Sequence, residues 1–381
     1  MHFIFRGIVL TEIVSFIKRE TVLTVALVLA VVSCFFVPPS AEYLSYINFR
    51  VLVLLFCLMT VVAGMVRVGA FDVLCRMLGR NIKSTRGMYL LLTMLCFFMS
   101  MFLTNDVTLI TVVPFTFILL GETGMQDGTM IILILETLAA NLGSMLTPFG
   151  NPQNLFLYTK YNVGAAEFIS IMLPYTVTSL MMLTGQIMFM KNRSLEIHNE
   201  CIAAISDKRR FFVYLMLFVL AILSVARVID YRILLCCTVA VTILLDRKLF
   251  AQVDYSLLLT FVFFFVFVGN MGKIRAVSEI LSSLLSGRVI CVSVIASQFI
   301  SNVPAALLLS DFTDDYRGLM IGTDIGGLGT LIASMASLIS YKFFAERYNG
   351  KKGRYILKFT FWNIVYLAVL SAVAYAMRNT V

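Results

Sequence analysis

Charged residues, histidine and tryptophan are scarce in this chain of 381 residues. Only 13% of the residues are charged, against about 25% in soluble domains, and there are two histidines and one tryptophan. The eight cysteines form no Cys-x-x-Cys pair, which disfavours a zinc or redox site. His2 and His198 both lie outside the apolar segments. The sequence therefore predicts neither an enzyme nor a bound cofactor.

Hydrophobic residues, by contrast, make up 60% of the chain, and the mean hydropathy is +0.94. A chain this apolar cannot cover itself with a polar surface, so lipid must be its solvent over much of its area. The net charge of +9 comes without a nucleic-acid motif or a basic patch interleaved with aromatic residues. We therefore predict an all-α polytopic membrane protein in contact with membrane lipid, with no nucleic-acid partner.

Apolar runs of about 17–25 residues are long enough to span a bilayer as helices. Two further apolar stretches, 88–120 and 288–312, each contain a polar break, and we interpret them as re-entrant hairpins. If the hairpins do not cross, nine spans remain, and the full range is nine to eleven. The predicted spans are 21–37, 48–66, 129–159 (interrupted), 168–189, 210–225, 232–244, 255–271, 319–344 (interrupted) and 360–376.

The distribution of lysine and arginine predicts the orientation. When the nine spans are threaded with the N-terminus inside, 21 of the 30 basic residues fall in inside loops and 9 fall outside. Cytoplasmic loops of membrane proteins carry such an excess. We therefore expect a multi-pass protein of a bacterial-type inner (plasma) membrane with a cytoplasmic N-terminus.

The same order of features occurs twice along the chain: a span, a short amphipathic arm, a hairpin broken at Asn and a helix broken at Gly. Such inverted repeats, with broken helices that meet at the bilayer midplane, are typical of secondary transporters. We predict an amphipathic N-terminus (1–20), a first repeat (21–192), a cytoplasmic loop with a linking helix (193–230) and a second repeat (231–381). The matching breaks are Thr104-Asn105-Asp106 with Ser301-Asn302-Val303, and 141–147 with 324–330; Asn151 falls opposite Ser334 and Asn154 opposite Ser337.

The breaks are the candidate binding site, because irregular backbone at membrane depth survives only beside protein or a water-filled cavity. Each residue also has a structural alternative: Gly permits close helix packing, Ser and Thr bond to their own helix, and a single Asn can cap a helix. Four clusters in matched order favour a site over these alternatives. The candidates are Thr104, Asn105, Asp106, Gly143, Ser144, Thr147, Asn151, Asn154, Ser301, Asn302, Asp324, Gly326, Gly327 and Thr330.

Carboxylates at membrane depth are costly, and their presence indicates function by default. Asp106 and Asp324 lie in the breaks and are candidate ion or proton carriers. Glu136 is a third candidate, for which an interhelical hydrogen bond is an equally good explanation. Freed carbonyls with Ser and Thr hydroxyls suit a hard cation such as sodium, and the N-termini of the half-helices suit an anion.

At these residues the sequence resembles the ion transporter superfamily, in its citrate transporter-like branch, which includes divalent anion:sodium symporters, arsenite-pump-type permeases and related sodium/proton antiporters. The resemblance is carried by 141–144, 147–154, 297–306 and 326–331. It implies a homodimer with a scaffold domain and a transport domain that moves like an elevator. It also implies two cation sites, one with Asn105, Gly143 and Ser144 and one with Asn302, Gly326 and Gly327. The substrate would lie between the tips, near Thr104, Asp106, Thr147, Asn151, Ser301, Val303 and Thr330.

The two hairpin tips depart from the Ser-Asn-Thr signature that the dicarboxylate symporters carry. Val303 lacks a hydroxyl that would contact a carboxylate, and Asp106 would repel a dianion unless it were protonated or paired with a cation. The leading hypothesis is a transporter of a small anion, such as citrate or a dicarboxylate, coupled to sodium or protons. The alternative is efflux of a neutral oxyacid such as arsenous acid, or sodium/proton antiport.

Overall fold

The computed structural model describes residues 20–79, 82–122, 128–195 and 205–378. In these ranges the chain is helical and contains no β-strand beyond one isolated bridge between Ser84 and Ser194. The predicted N-terminal segment 1–20 lies outside the described residues, apart from Glu20. The helices of the first half are α1 (Thr21–Cys34), α2 (Tyr43–Tyr46), α3 (Phe49–Arg67), α4 (Ala70–Gly79), α5 (Thr85–Met99), α6 (Asn105–Glu122), α7 (Thr129–Ser144), α8 (Pro152–Lys160) and α9 (Ala165–Met188).

The second half of the described chain is also built of helices. They are α10 (Lys208–Val225), α11 (Tyr231–Leu245), α12 (Tyr255–Lys273), α13 (Arg275–Leu285), α14 (Val289–Ile300), α15 (Asn302–Leu309), α16 (Tyr316–Gly326), α17 (Met335–Arg347) and α18 (Lys352–Arg378). A helix or a pair of helices occupies each predicted span and each predicted hairpin. The prediction of an all-helical membrane protein is confirmed.

Four helices in the described ranges, α3, α9, α12 and α18, are long and apolar enough to cross a membrane. The pair α13 and α14 would count as a fifth span, although the two are bent by 114° at their junction. Other apolar helices, including α1, α5, α7 and α11, are shorter than a full crossing. The chain therefore has several candidate spans, while the threading of nine to eleven spans stays a prediction.

Side-chain caps define where many of the helices begin. Asn48 accepts a hydrogen bond from the Val51 N–H at the start of α3, and Asp254 accepts one from Leu257 at the start of α12. Asn and Asp oxygens suit this position because the first N–H groups of a helix have no partner within it. These two helices of equal length, one in each half of the chain, thus start in the same way.

The helices pack as two groups. The panel helices are α1, α3, α10, α11 and α12, in which α1 packs on α12 while α10 and α11 pack on α3. The hairpin module contains the helix pairs α5–α6 and α14–α15, together with α7, α8, α9, α16, α17 and α18. The two groups meet where α15 contacts α12 and where α8 contacts α3. The module holds all four predicted breaks.

The most deeply buried helices are the two that end at the glycine breaks. Every residue of α7 from Ile132 to Ser144 is buried, and so is α16 from Gly318 to Gly326. Each packs on the first helix of its own hairpin, α7 on α5 and α16 on α14. This packing brings the ends of α7 and α16 to the centre of the module.

Candidate functional site

The tip of each hairpin is bonded to the loop of the broken helix in its own half of the chain. The Asn105 N–H donates to the Gly150 carbonyl over 3.3 Å, and the Asn302 N–H donates to the Ala333 carbonyl over 3.0 Å. The side chains repeat the match, because each Asn Oδ1 accepts the N–H of the next residue at 2.9 Å. The two tips therefore share this pattern of hydrogen bonds.

Two polar residues then connect the halves to each other. The Asn141 Oδ1 at the end of α7 accepts hydrogen bonds from the Asn105 amide, at 2.8 Å, and from the Ser334 hydroxyl, at 3.0 Å. Asp324, which occupies the matching place in α16, accepts one from the Gln153 amide at 3.1 Å. The end of each broken helix thus receives a donor from the segment that follows the break in the other half. The four breaks form one connected polar cluster, which we call the central cluster.

The first broken loop is ordered around Ser144. The Asn151 amide donates to the Ser144 hydroxyl at 2.8 Å, and that hydroxyl donates to the Asn141 carbonyl at 2.9 Å. The Asn154 amide lies 3.4 Å from the carbonyls of both Ser144 and Thr147. The Thr147 hydroxyl reaches the Met101 carbonyl at the end of the first hairpin helix. These amides take up carbonyls that the break removes from helical hydrogen bonding.

In the second half a single glutamine, Gln298, pairs with the backbone groups that the break leaves free. Its amide nitrogen donates to the carbonyls of Gly326 and Leu328, both at 2.9 Å. Its amide oxygen accepts the Thr330 N–H at 3.0 Å. Gln298 therefore holds the second broken loop against the hairpin helix α14.

Glycine is required where the broken helices meet the hairpins. A Cβ on Gly143 would overlap the Phe97 carbonyl oxygen and lie 2.6 Å from the Ser100 Oγ. A Cβ on Gly326 would lie 2.7 Å from the Ser297 Oγ. Both glycines thus permit close packing of helices, the structural alternative stated for them above. Their part in cation binding stays a prediction. A glycine has no side chain, so only its backbone groups could contact the cation.

Ser301 at the second tip has a strained backbone. Its φ is +70° and its ψ is 156°, a region that is almost reserved for glycine. Its hydroxyl lies 3.3 Å from the Ala333 carbonyl. Strain of this kind costs about 1–3 kcal/mol and is found mostly at functional sites.

The central cluster is buried, yet several of its polar atoms have no hydrogen-bond partner among the described residues. Asn141, Asn151, Asn154 and Asp324 are each at most 5% exposed. The atoms without a partner are the Oδ1 of Asn151 and Asn154, the Oδ2 of Asp324, the Oδ1 of Asp106 and the Nδ2 of Asn141. An unpaired buried polar group is costly. These atoms are therefore available to bind a ligand, and the oxygens among them could hold a cation.

The structure brings most of the predicted site residues into this cluster and leaves one at its rim. Thr330 is exposed, and its hydroxyl lies 3.3 Å from the Gln298 carbonyl. Four residues that hold the cluster together lie in or beside the predicted breaks but were not named as candidates: Asn141, Gln153, Gln298 and Ser334. The available signal was an amide within an apolar run, which Asn141 and Gln298 both display, because such a group needs partners at that depth.

Glu136 lies apart from the central cluster, although it is fully buried. Its Oε1 accepts a hydrogen bond from the Thr116 hydroxyl of α6, and its Oε2 has no partner among the described residues. The interhelical hydrogen bond stated as one explanation is therefore present.

Comparison with known proteins gives a family and two relatives. The family model described as "Citrate transporter" matches residues 8–313. The uncharacterized transporter MJ0456 of Methanocaldococcus jannaschii is 35% identical over 298 residues, covering 77% of this chain and 80% of the relative. The inner membrane protein YbiR of Escherichia coli is 30% identical over 323 residues, covering 82% of this chain and 85% of the relative. The chain belongs to the citrate transporter family and is therefore a membrane transporter rather than an enzyme.

Proposed function

We propose that this transporter moves a small anion, of the class of citrate or a dicarboxylate, across the membrane together with sodium or protons. The observation that carries the proposal is the composition of the central cluster. It offers both free N–H groups and free oxygens in one buried place, so an anion and a cation can each find partners there. The predicted substrate and ion residues in the cluster stay part of this proposal.

Free backbone N–H groups support an anion. No described hydrogen bond uses the N–H groups of Gln153 and Asn154 at the start of α8, or those of Met335 and Ala336 at the start of α17. Neither helix has a side-chain cap. The N-terminus of a helix attracts negative charge through these N–H groups and through the helix dipole. The two starts come from the two halves, so an anion between them would be held from both sides.

The unpaired oxygens support a cation. Asp324 brings a carboxylate whose Oδ2 has no partner among the described residues, and Asn151 and Asn154 bring amide oxygens in the same state. Carbonyl and carboxylate oxygens at broken helices are what coordinate coupling ions in secondary transporters. A cation there would also offset the repulsion between Asp324 and an anionic substrate. This arrangement links the binding of the two ligands.

The finer architecture is part of the same proposal. The matched hydrogen bonds of the two tips and the exchange of donors between the broken helices support two inverted repeats. The division into panel helices and hairpin module supports a scaffold and a moving transport domain of the elevator type. The 21 to 9 distribution of basic residues supports a cytoplasmic N-terminus, and the relative YbiR is named as an inner membrane protein. The homodimer rests on the family resemblance.

The decisive experiment measures uptake of labelled citrate, labelled succinate and sodium into proteoliposomes, with and without imposed sodium and pH gradients. Asp324→Asn is expected to abolish the cation dependence, because the amide brings no charge to the cluster. Asp230→Asn is the matched control, since Asp230 is an exposed cap of α11. Gradient-driven uptake in the wild type that persists unchanged in Asp324→Asn would contradict the proposal.

Efflux of a neutral oxyacid, or sodium/proton antiport, is the second candidate. It is favoured by Asp106 and Asp324, because no basic residue forms an ion pair with either among the described residues. A carboxylate that is not neutralised by a basic side chain can exchange a proton for a sodium ion. If sodium or pH changes the thermal stability of the purified protein while no organic anion does, this candidate replaces the first.

Site-directed cysteine labelling tests the inverted arrangement. Asn105→Cys is expected to react with a membrane-impermeant maleimide from the cytoplasm, and Asn302→Cys from outside. Both tips are only 5% exposed here, so labelling should depend on the transport cycle. Reaction of both positions from one side in every state would exclude inverted repeats.

A further inference from the structure

A cavity of about 270 Å³ lies where α7 begins and where α17 passes into α18. It is far along the helices from the central cluster, since Asn141 lies at the opposite end of α7. Its lining consists of Met130, Ile131, Phe344, Tyr348, Lys351, Arg354 and Lys358. The cavity therefore has three cationic side chains in its wall and no acidic one.

The three basic residues have no acidic partner in the part of the chain that the structure describes. Every described ion pair joins other residues. The Lys351 ammonium is 6.0 Å from the centre of the Tyr348 ring. Three like charges around one small space repel one another. An anion in the cavity would relieve that repulsion, so the chemistry of the lining selects negative charge.

The aromatic wall of the cavity is fixed by stacking. The Phe344 ring lies 5.0 Å from that of Tyr348 and 4.5 Å from that of the buried Tyr355. The Tyr348 hydroxyl is 3.2 Å from the Thr129 hydroxyl at the start of α7. The cavity thus joins three helices through packed side chains. A site formed in advance binds with less loss of conformational entropy.

Beyond the cavity, the face of α18 that lines it carries exposed apolar side chains. Arg354, Lys358 and Phe361 follow one another at helical spacing, so they share one face of that helix. Phe361 is 60% exposed and Leu357 is 74% exposed. A free phosphate would use only the basic cavity, whereas a lipid would place its headgroup there and its acyl chain along Phe361. We propose that this cavity binds the phosphate headgroup of an anionic membrane lipid.

Basic pockets between membrane helices are suited to such headgroups, and the position matters for the central cluster. The lipid would contact the start of α7 and the end of α17. The opposite ends of these two helices carry Asn141 and Ser334, which belong to the central cluster. The inference does not depend on the substrate or the coupling ion. It would stand even if the proposed function failed.

The chain contains its own reporter for this site, because its single tryptophan is Trp362. Trp362 is one helical turn beyond Lys358 on α18. We would reconstitute the full-length protein in bilayers that contain phosphatidylglycerol or phosphatidylcholine with brominated acyl chains, and measure quenching of the Trp362 fluorescence. We expect phosphatidylglycerol to bind at this site at least about tenfold more strongly than phosphatidylcholine, since each basic residue near an anionic surface contributes about fivefold. Equal quenching by the two lipids would overturn the proposal.

Matched variants separate this site from general surface charge. Replacing Lys351, Arg354 and Lys358 by Gln together is expected to remove the preference for phosphatidylglycerol. The control triple replaces exposed basic residues from loops predicted on the same side of the membrane, and it should keep the preference: Lys191→Gln, Lys208→Gln and Arg209→Gln.

Three outcomes would refute a specific lipid site. An equal loss of the preference for phosphatidylglycerol in both triple variants would mean that surface charge alone attracts the lipid. Full competition by millimolar inorganic phosphate would mean a free-phosphate site. If the cavity triple does not fold, Lys358→Gln alone should lower the preference by about fivefold, and an unchanged preference would refute the proposal.

Discussion

Gly143 lies at the closest approach between two helices of the hairpin module, and replacing it by Ala tests how tightly the structure is packed there. The added Cβ would overlap the Phe97 carbonyl oxygen and lie 2.6 Å from the Ser100 Oγ. A backbone carbonyl cannot rotate away as a side chain can, so α5 and α7 would have to separate. Overpacking a core typically costs about 1–3 kcal/mol. We expect Gly143→Ala to cost about 3 kcal/mol, near the upper end of that range.

Two other glycines give a graded comparison within the same chain. A Cβ on Gly326 would meet mainly the Ser297 side chain, at 2.7 Å, and a rotation of that side chain would relieve part of the contact. We expect Gly326→Ala to cost about 1–2 kcal/mol. No atom lies within 4 Å of a Cβ on Gly185. Gly185→Ala should therefore gain up to about 1 kcal/mol from helix propensity.

The assay is thermal unfolding of the purified variants in one detergent, with and without sodium. The expected order of stability is Gly185→Ala, wild type, Gly326→Ala, Gly143→Ala. Packing alone predicts the same loss in both conditions, whereas a part in cation binding would also remove stabilisation by sodium. If Gly143→Ala were as stable as Gly185→Ala, the packing of α5 on α7 described above would be wrong.

Three further predictions concern single side chains. Gln298→Leu should cost at least about 3 kcal/mol, because it leaves two carbonyls and one N–H unpaired at about 1–3 kcal/mol each. The exposed Gln252→Leu should be nearly neutral, and chemical unfolding measures both. Ser301→Gly should raise the unfolding midpoint by relieving about 1 kcal/mol of backbone strain, whereas Ser301→Ala should not; a stabilised Ala variant would contradict the strain. Thr116→Val should destabilise the protein by about 1–3 kcal/mol, because it removes the described partner of the buried Glu136 carboxyl. If Thr116→Val cost nothing in a Glu136→Leu background, where no carboxyl needs a partner, the cause would be confirmed.

Much of the helical organisation could be predicted because it depends on local properties of the chain. A long apolar run such as the one that forms α12 must become a helix at membrane depth, since every backbone group there needs a hydrogen bond. Caps such as Asn48 and Asp254 mark where such helices begin. The breaks at Asn105 and Asn302 were also visible, because polar residues interrupt apolar runs there.

The members of the central cluster could be predicted only in part. Gly143 and Gly326 were expected to bind a cation, and the structure adds that each is needed for close contact with a hairpin helix. Gln298 lay in an apolar run, but nothing local indicated that it would hold the loop up to Thr330. The strain at Ser301 was equally invisible, because a residue type does not reveal a backbone angle imposed by its neighbours.

The sequence by itself determined that the chain is a membrane protein of many helices, and where those helices break, because burial in lipid makes these properties follow from composition and order. Only the tertiary structure decided which polar groups meet. The bond between Asn141 and Ser334 joins residues 193 positions apart, and that between Gln153 and Asp324 joins residues 171 positions apart. Such partners are selected by the packing of several helices at once, because only that packing sets the distance between their ends.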